Sequence, residues 1–258
     1  MFGFKAWRRR RILKRTVLPE QPWRTALEHA PVLRGLGTEE RARLRDLVIL
    51  FLHEKSIQGA TGVEVTDAMR LAIAAQACLP IITLGIEYYD DWTTVIVYPE
   101  HFRPRHVYTD EIGIVHRTRH ALAGESWLRG PMVLSWRDVA QSALEAERGA
   151  NLIIHECAHK LDMLNGRANG MPPLHPGMRV ADWTRDFTAA YEALHAQIDA
   201  GVDPALDPYA AESPAEFFAV ASEVFFTRPD TLSQAFPAVY AQLLAFYRQD
   251  TLKRLVVS

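Results

Sequence analysis

Asn151-Leu152-Ile153-Ile154-His155-Glu156-Cys157-Ala158-His159-Lys160-Leu161-Asp162-Met163-Leu164-Asn165-Gly166 is the segment around which the rest of the chain is read. Its apolar residues fit a helix, and Asn165-Gly166 supplies the stop. On a helix, positions i and i+4 stand one above the other, so His155 and His159 can converge on one ion. Glu156 projects near the same edge, within reach of a metal-bound water. The five residues from His155 to His159 form an H-E-x-x-H signature, and they predict a hydrolytic metal centre on a helix.

The 258 residues are 48% apolar, enough to fill a sizeable core. A formal net charge of −2 gives no global attraction to nucleic acid or to an anionic surface. Cys78 and Cys157 are the only cysteines, and a disulfide would cramp the metal helix. That usage predicts a reducing, cytoplasmic setting rather than a bridge-stapled secreted fold. Lys5, Arg8, Arg9, Arg10, Arg11, Lys14 and Arg15 form a basic cluster with no apolar run behind it, so neither a signal peptide nor a membrane anchor is expected. No segment offers eighteen uninterrupted apolar residues, and no membrane insertion is expected. Residues 1–20 therefore read as a flexible basic arm, and residues 21–258 as one domain. Direct nucleic-acid binding by the arm is not favoured, because no aromatic platform or finger spacing accompanies the charge.

Outward from the metal helix, residues 38–55 show helical periodicity with Thr38 as cap, and residues 66–78 predict a second helix stopped by Pro80. The β-branched runs 81–86 and 93–98 predict strands, with two further short strands at 112–116 and 132–136. Residues 166–177, with three Gly and three Pro, form a loop. Helices resume at 183–198, 214–226 and 231–247. Helices, a small sheet, then helices again give an α+β domain with the metal helix just after the last strand. The strand at 132–136 is placed along the cleft, with an edge able to pair with an extended peptide.

Two imidazoles do not complete a catalytic zinc site, which takes three protein ligands and keeps one position for water. The downstream candidates are Asp162, His175, His195, Glu212, Glu216 and Glu223. Asp162 lies one turn beyond His159, an angle better suited to orienting a histidine than to ligating the ion. Ser213-Pro214-Ala215-Glu216 begins a helix, but Ser213 and Glu216 also match a capping box. Spacing leaves Glu216 open between ligand and cap.

The stretch His155 to Asp162, together with residues 209–226 and with 110–113 through 127–131 (Asp110-Glu111-Ile112-Gly113 and Trp127-Leu128-Arg129-Gly130-Pro131), resembles the Mlc titration factor A family of zinc-dependent peptidases. The likeness runs from about Trp23 to Leu252 and leaves out mainly the basic segment. That family is in turn similar to the catalytic domain of anthrax lethal factor, where a Tyr precedes the metal-binding Glu by seven residues. Tyr209 and Glu216 stand at that spacing. The resemblance implies a mainly helical, zincin-like metallopeptidase domain holding one Zn2+ per chain. It implies His155, His159 and Glu216 as ligands, Glu156 as general base and Tyr209 as donor to the transition state. It also implies aminopeptidase-like action on short peptides and a transcriptional repressor of the Mlc type as partner. The rival reading is a regulator-sequestering protein whose zinc is structural, although such a site needs no base and favours four protein ligands. Cys157 departs from the bulkier apolar residue expected at its position, on the side of the helix away from the ion.

Overall fold

A computed structural model describes residues 2–99, 107–109, 115–117, 130–144 and 149–255. Among them the chain runs through α1 (Phe2–Arg15), α2 (Glu20–Glu28), α3 (Thr38–Glu54), β1 (Ser56–Gly59), α4 (Asp67–Cys78), β2 (Thr94–Tyr98), β3 (Val107–Thr109), β4 (Val115–Arg117) and β5 (Met132–Ser135). It continues through α5 (Trp136–Leu144), α6 (Leu152–Asp162), α7 (Val180–Asp199), α8 (Pro214–Thr227), α9 (Pro229–Ala235), α10 (Pro237–Tyr247) and α11 (Thr251–Leu255). The architecture is mainly helical α+β, with a small sheet ahead of the helix that carries the two histidines. The stretches 110–113 and 127–129, and residues 112–114 of one expected strand, lie outside the described residues. No helix among those described is long and apolar enough to cross a membrane.

The sheet has the order β1-β2-β5 with both pairings parallel, Ser56 facing Thr94 and Val95 facing Met132. Parallel strands need a crossover, and α4 provides the one between β1 and β2. Ile57, Val95, Val97, Met132 and Leu134 point into the core. β5 pairs with β2 on one side and has no strand on its other side among the described residues. It leads directly into α5 and touches α6, so among the described residues the sheet ends beside the histidine helix.

Two expectations fail for local reasons, and one strand lies where none is expected. The run 81–86 is not a strand but a series of tight turns leading into a 3-10 helix at Ile86–Tyr89. The N–H groups of Ile81, Ile82 and Leu84 donate to Cys78, Leu79 and Ile81, and Gly85 takes a positive φ of 97°. Its β-branched residues are apolar because they fill the core as turns: Ile81, Ile82 and Ile86 are all buried. The segment 231–247 is two helices. Phe236 precedes Pro237, cannot stay helical and has φ −135°, so α9 ends and Pro237 starts α10. β1 was not anticipated, because Ser56-Ile57-Gln58-Gly59 buries only Ile57 and shows no apolar alternation.

The basic segment read as a flexible arm contains α1. Arg9 is 6% exposed. It forks onto Glu54 at 2.9 and 2.7 Å and also donates to Glu87 at 3.0 Å and Asp90 at 2.5 Å. Lys5 reaches Asp90 at 2.8 Å, and Ile12 and Leu13 pack on the core. Counting charge without its helical phase missed that one of the seven cations faces inward.

Arg9→Ala leaves the half-buried Glu54 without its main counterion and is expected to cost about 1–3 kcal/mol, at the low end for the more exposed partners. Burial alone would raise Glu54 and Asp90; hydrogen bonds from Arg9 to Glu54, and from Lys5 and Arg9 to Asp90, hold both below their ordinary values. Folded-state pKa values lowered in this way stabilise the protein above the unfolded carboxylate range, and the gain is lost as pH falls. Urea denaturation should show the wild-type advantage over Arg9→Ala shrinking from about pH 5 to about pH 2. An advantage constant across that range would show that these carboxylates do not seat α1.

Candidate metal centre

α6 begins at Asn151, whose side-chain oxygen accepts the Ile154 N–H at 3.0 Å and whose amide donates to Gln76 at 2.9 Å. Capped and fastened in this way, the helix presents His155 and His159 one turn apart, with ring centroids 4.7 Å from each other. Its opposite side faces α4, where the Cys157 thiol lies 3.7 Å from the Ala77 carbonyl. Complete burial pushes that thiol up to about 12.

α8 packs on α6 more extensively than any other pair of described elements. Ser213 caps α8, its hydroxyl accepting the Glu216 N–H at 3.2 Å. The Glu216 carboxylate is turned toward α6. Its Oε2 lies 3.1 Å from His155 Nε2 and 3.3 Å from His159 Nε2, and the two nitrogens are 3.1 Å apart. Backbone and side chain of Glu216 thus serve different ends, which is how a capping-box sequence and a carboxylate in the cluster coexist. His155, His159 and Glu216 form the group that can hold a metal ion among the described residues.

Glu223, seven residues on and so on the same face of α8, completes the arrangement. Its Oε1 is 2.7 Å from His155 Nδ1, and its Oε2 accepts the Asn151 N–H at 2.5 Å. A proton on Nδ1, held by that carboxylate, leaves the Nε2 lone pair directed at Glu216 and His159. Burial opposes a charge on His155, but Glu223 and Glu216 outweigh it and raise the imidazole well above its ordinary range. Burial would likewise raise Glu216, yet the two imidazoles pull it well below the usual carboxylate range. The cluster favours positive charge at its centre, and a shared proton and a metal ion compete for the same lone pairs.

Tyr209 sits in a 3-10 turn at Pro208–Ala211, started by Asp207, which accepts the Tyr209 N–H at 2.9 Å. The Tyr191 hydroxyl on α7 holds the end of that turn through the Ala211 carbonyl at 2.8 Å. The Tyr209 ring centroid is 6.0 Å from that of His155. Glu156 is partly buried on α6. The other candidates are elsewhere: Glu212 is exposed, His195 packs on Tyr191, and His175 lies 2.8 Å from the Phe246 carbonyl.

Asp162, expected to orient a histidine, instead accepts the Gly170 N–H at 2.8 Å. Burial pushes its carboxyl up to about 6 despite that bond. Gly170 also receives the Trp183 indole N–H on its carbonyl at 3.0 Å. It has φ +77°, and a Cβ there would stand 2.3 Å from the Pro214 carbonyl oxygen. The Gly-Pro loop is therefore a strap from the end of α6, across α7, to the first turn of α8, two residues before Glu216.

Comparison with known proteins places this geometry in context. The chain matches the glucose-regulated metallo-peptidase M90 family over residues 4–248. It is 42% identical to Mlc titration factor A of Klebsiella pneumoniae (strain 342) over 239 residues, 92% of this chain and 89% of the relative. It is also 42% identical to Mlc titration factor A of Salmonella typhimurium over 240 residues, with the same two coverages.

Gly170→Ala is expected to cost roughly 2–4 kcal/mol, combining a left-handed backbone with a clash against backbone that cannot swing away. Gly166→Ala is the control: φ is +92° but nothing lies within 4 Å of its added Cβ, so only about 1 kcal/mol is expected. Thermal unfolding with metal analysis should show Gly170→Ala losing both stability and bound metal, and Gly166→Ala retaining its metal. Equal behaviour of the two would remove the strap from the site.

Proposed function

The chain belongs to the glucose-regulated metallo-peptidase M90 family, and from that premise we propose that it is a zinc-dependent, aminopeptidase-like enzyme acting on short peptides. The observation that carries this reading is the mutual approach of three donor atoms at 3.1, 3.1 and 3.3 Å. Tetrahedral zinc with bonds of about 2.0–2.2 Å would place its ligand atoms about 3.3–3.6 Å apart, so the triangle would need to open by only a few tenths of an ångström to take that ion. His155, His159 and Glu216 are the ligands in this reading, and Glu223 orients His155.

A zinc ion held by His155, His159 and Glu216 would supply Lewis acidity, acidifying water and polarising a scissile carbonyl. Glu156, beside His155 on α6, takes the water's proton and returns it to the leaving amine. The Tyr209 hydroxyl donates to the developing oxyanion, a contribution typically worth about 2.7–4 kcal/mol. The edge of β5 that pairs with no described strand accepts the substrate backbone as an added strand. Two buried free thiols support a reducing, cytoplasmic setting.

A second role is favoured by the relatives themselves, whose name describes titration of Mlc. Binding of an Mlc-type repressor and peptide hydrolysis are compatible on one chain. Pull-down of such a repressor with wild type and Glu156→Gln would separate the two activities.

The direct test is metal content alongside hydrolysis of amino-acid and short-peptide amides. Wild type and Glu156→Gln are each expected to hold one zinc per chain, with turnover in the variant about 10²–10⁴-fold lower. Glu216→Ala and a chelated sample are expected to lose both metal and cleavage. Full turnover in Glu156→Gln would remove the base assignment, and wild-type zinc in Glu216→Ala would leave its carboxylate outside the coordination shell. Zinc without cleavage of any amide would leave repressor binding as the function.

A further inference from the structure

The outward face of α1 combines two exposed aromatic rings with a cluster of cations, and neither takes part in the metal centre. Arg9, Ile12, Leu13 and Thr16 fall on the inward side at spacings of three and four, buried or half-buried against the body. Diametrically opposite stand Phe4, 71% exposed, and Trp7, 53% exposed. Arg8, Arg10, Arg11, Lys14 and Arg15 surround them, all exposed. An ordinary solvated helix face carries such cations without large aromatics at its centre.

The distribution of charge makes the face directional. Residues 2–15 hold seven of the chain's 29 Lys and Arg and none of its 31 Asp and Glu, so the remaining chain carries 22 cations against 31 anions, a net −9. A negatively charged plane attracts α1 and repels the body, and so selects one orientation.

We propose that α1 docks the protein peripherally on an anionic lipid surface, with Phe4 and Trp7 in the headgroup layer and the surrounding Arg and Lys on lipid phosphates. A basic helix with Trp and Phe on the face it presents is the chemistry of an in-plane interfacial helix. At about 21 Å it is too short to span a bilayer and long enough to lie on one. The long exposed cations, spread around the rings, match the diffuse charge of headgroups rather than a fixed set of carboxylates on a protein; Arg8 also pairs with Glu54 at 3.8 Å. Single-stranded nucleic acid would need open ring faces for base stacking. Here the rings stack on each other at 5.9 Å and 27°, and the Arg11 guanidinium lies 5.5 Å from the Trp7 ring centre. One face of each ring is therefore taken up by its neighbour, and the Trp7 ring also by Arg11.

The test is co-sedimentation of the full chain with vesicles of phosphatidylcholine alone and of phosphatidylcholine containing about one-third phosphatidylglycerol. Binding is expected only to the anionic vesicles, and is expected to disappear in about 0.5 M NaCl. Phe4→Ser/Trp7→Ser should lower partitioning by about tenfold or more. Arg10→Gln/Lys14→Gln/Arg15→Gln should lower it about a hundredfold, since each cation near the surface contributes about fivefold. All five positions are exposed, so unchanged thermal melts are expected and would confirm that folding is intact. Absence of binding to anionic vesicles, equal binding to neutral ones, or indifference of both variants would overturn the proposal. Tighter binding to a single-stranded oligonucleotide at equal salt, lost in the same variants, would assign α1 to nucleic acid and overturn it equally.

Discussion

The structure depends on one contact, the docking of α8 against α6 around the His155 ring. Every residue of α8 from Ala215 to Phe226 is buried, and two of them, Glu216 and Glu223, are carboxylates. Burying ionised carboxylates in an apolar helix costs several kcal/mol each unless they are paired and hydrogen-bonded. Their described partners lie on α6 or at its cap: the two imidazoles and the Asn151 N–H. A slip of one turn along either helix would strand both acids in the core. The same polar groups that suit a metal therefore fix the register of the helix pair, which apolar packing alone would leave less sharply defined.

What surrounds the pair follows from holding that register. The strap through Gly170 links the end of α6 to the start of α8 at the two places where the helices would otherwise splay. Its close approach to Pro214 requires a residue with no side chain. Asp162 is fully buried at one anchor, and Trp183 holds the other side of Gly170. Tyr209 is placed by a separate device, a 3-10 turn capped by Asp207 and tied to α7. His155 is thus flanked by a rigid helix pair on one side and a fixed turn on the other. Such positioning is what a site needs if its donors are to stay within a few tenths of an ångström of each other.

The part of this legible in the sequence is local. An H-E-x-x-H segment, a Ser-Pro helix start at Ser213 and a Gly stop at Gly166 each act within one or two turns; α8 starts where its signal puts it, and α6 passes after Asp162 into a 3-10 turn that Gly166 ends. Long-range relations were only partly legible. Glu216 was open between cap and cluster, because sequence spacing cannot tell where a side chain turns once its backbone N–H is capped. Glu223 stood among the candidates, but its grip on His155 depends on α8 facing α6. The i, i+7 relation to Glu216 was the available signal, and it places Glu223 two turns along the same face. By spacing alone Asp162 points to the histidines, because the partner it has, Gly170, lies in a loop without periodicity. The run 81–86 misled because β-branched residues also serve as buried turns, and α1 because a charge cluster was weighed by total rather than by face.

The two most elaborate charge assemblies in the molecule follow one plan. Around Arg9, three carboxylates from α3 and from residues 87–90 converge on a guanidinium that the chain itself supplies. In the cluster between α6 and α8, two imidazole nitrogens and a carboxylate oxygen converge on one point. In both, burial opposes ionisation and neighbouring opposite charge overcomes it, so each is stable only as a complete set. The difference lies in the donors. Guanidinium is always charged and forks onto carboxylates, which makes the first assembly a fastening for α1. Imidazole can give up a proton and take a metal ion on the same nitrogen, which makes the second responsive to its surroundings. Structural permanence and chemical responsiveness are set here by which cationic group the acids surround.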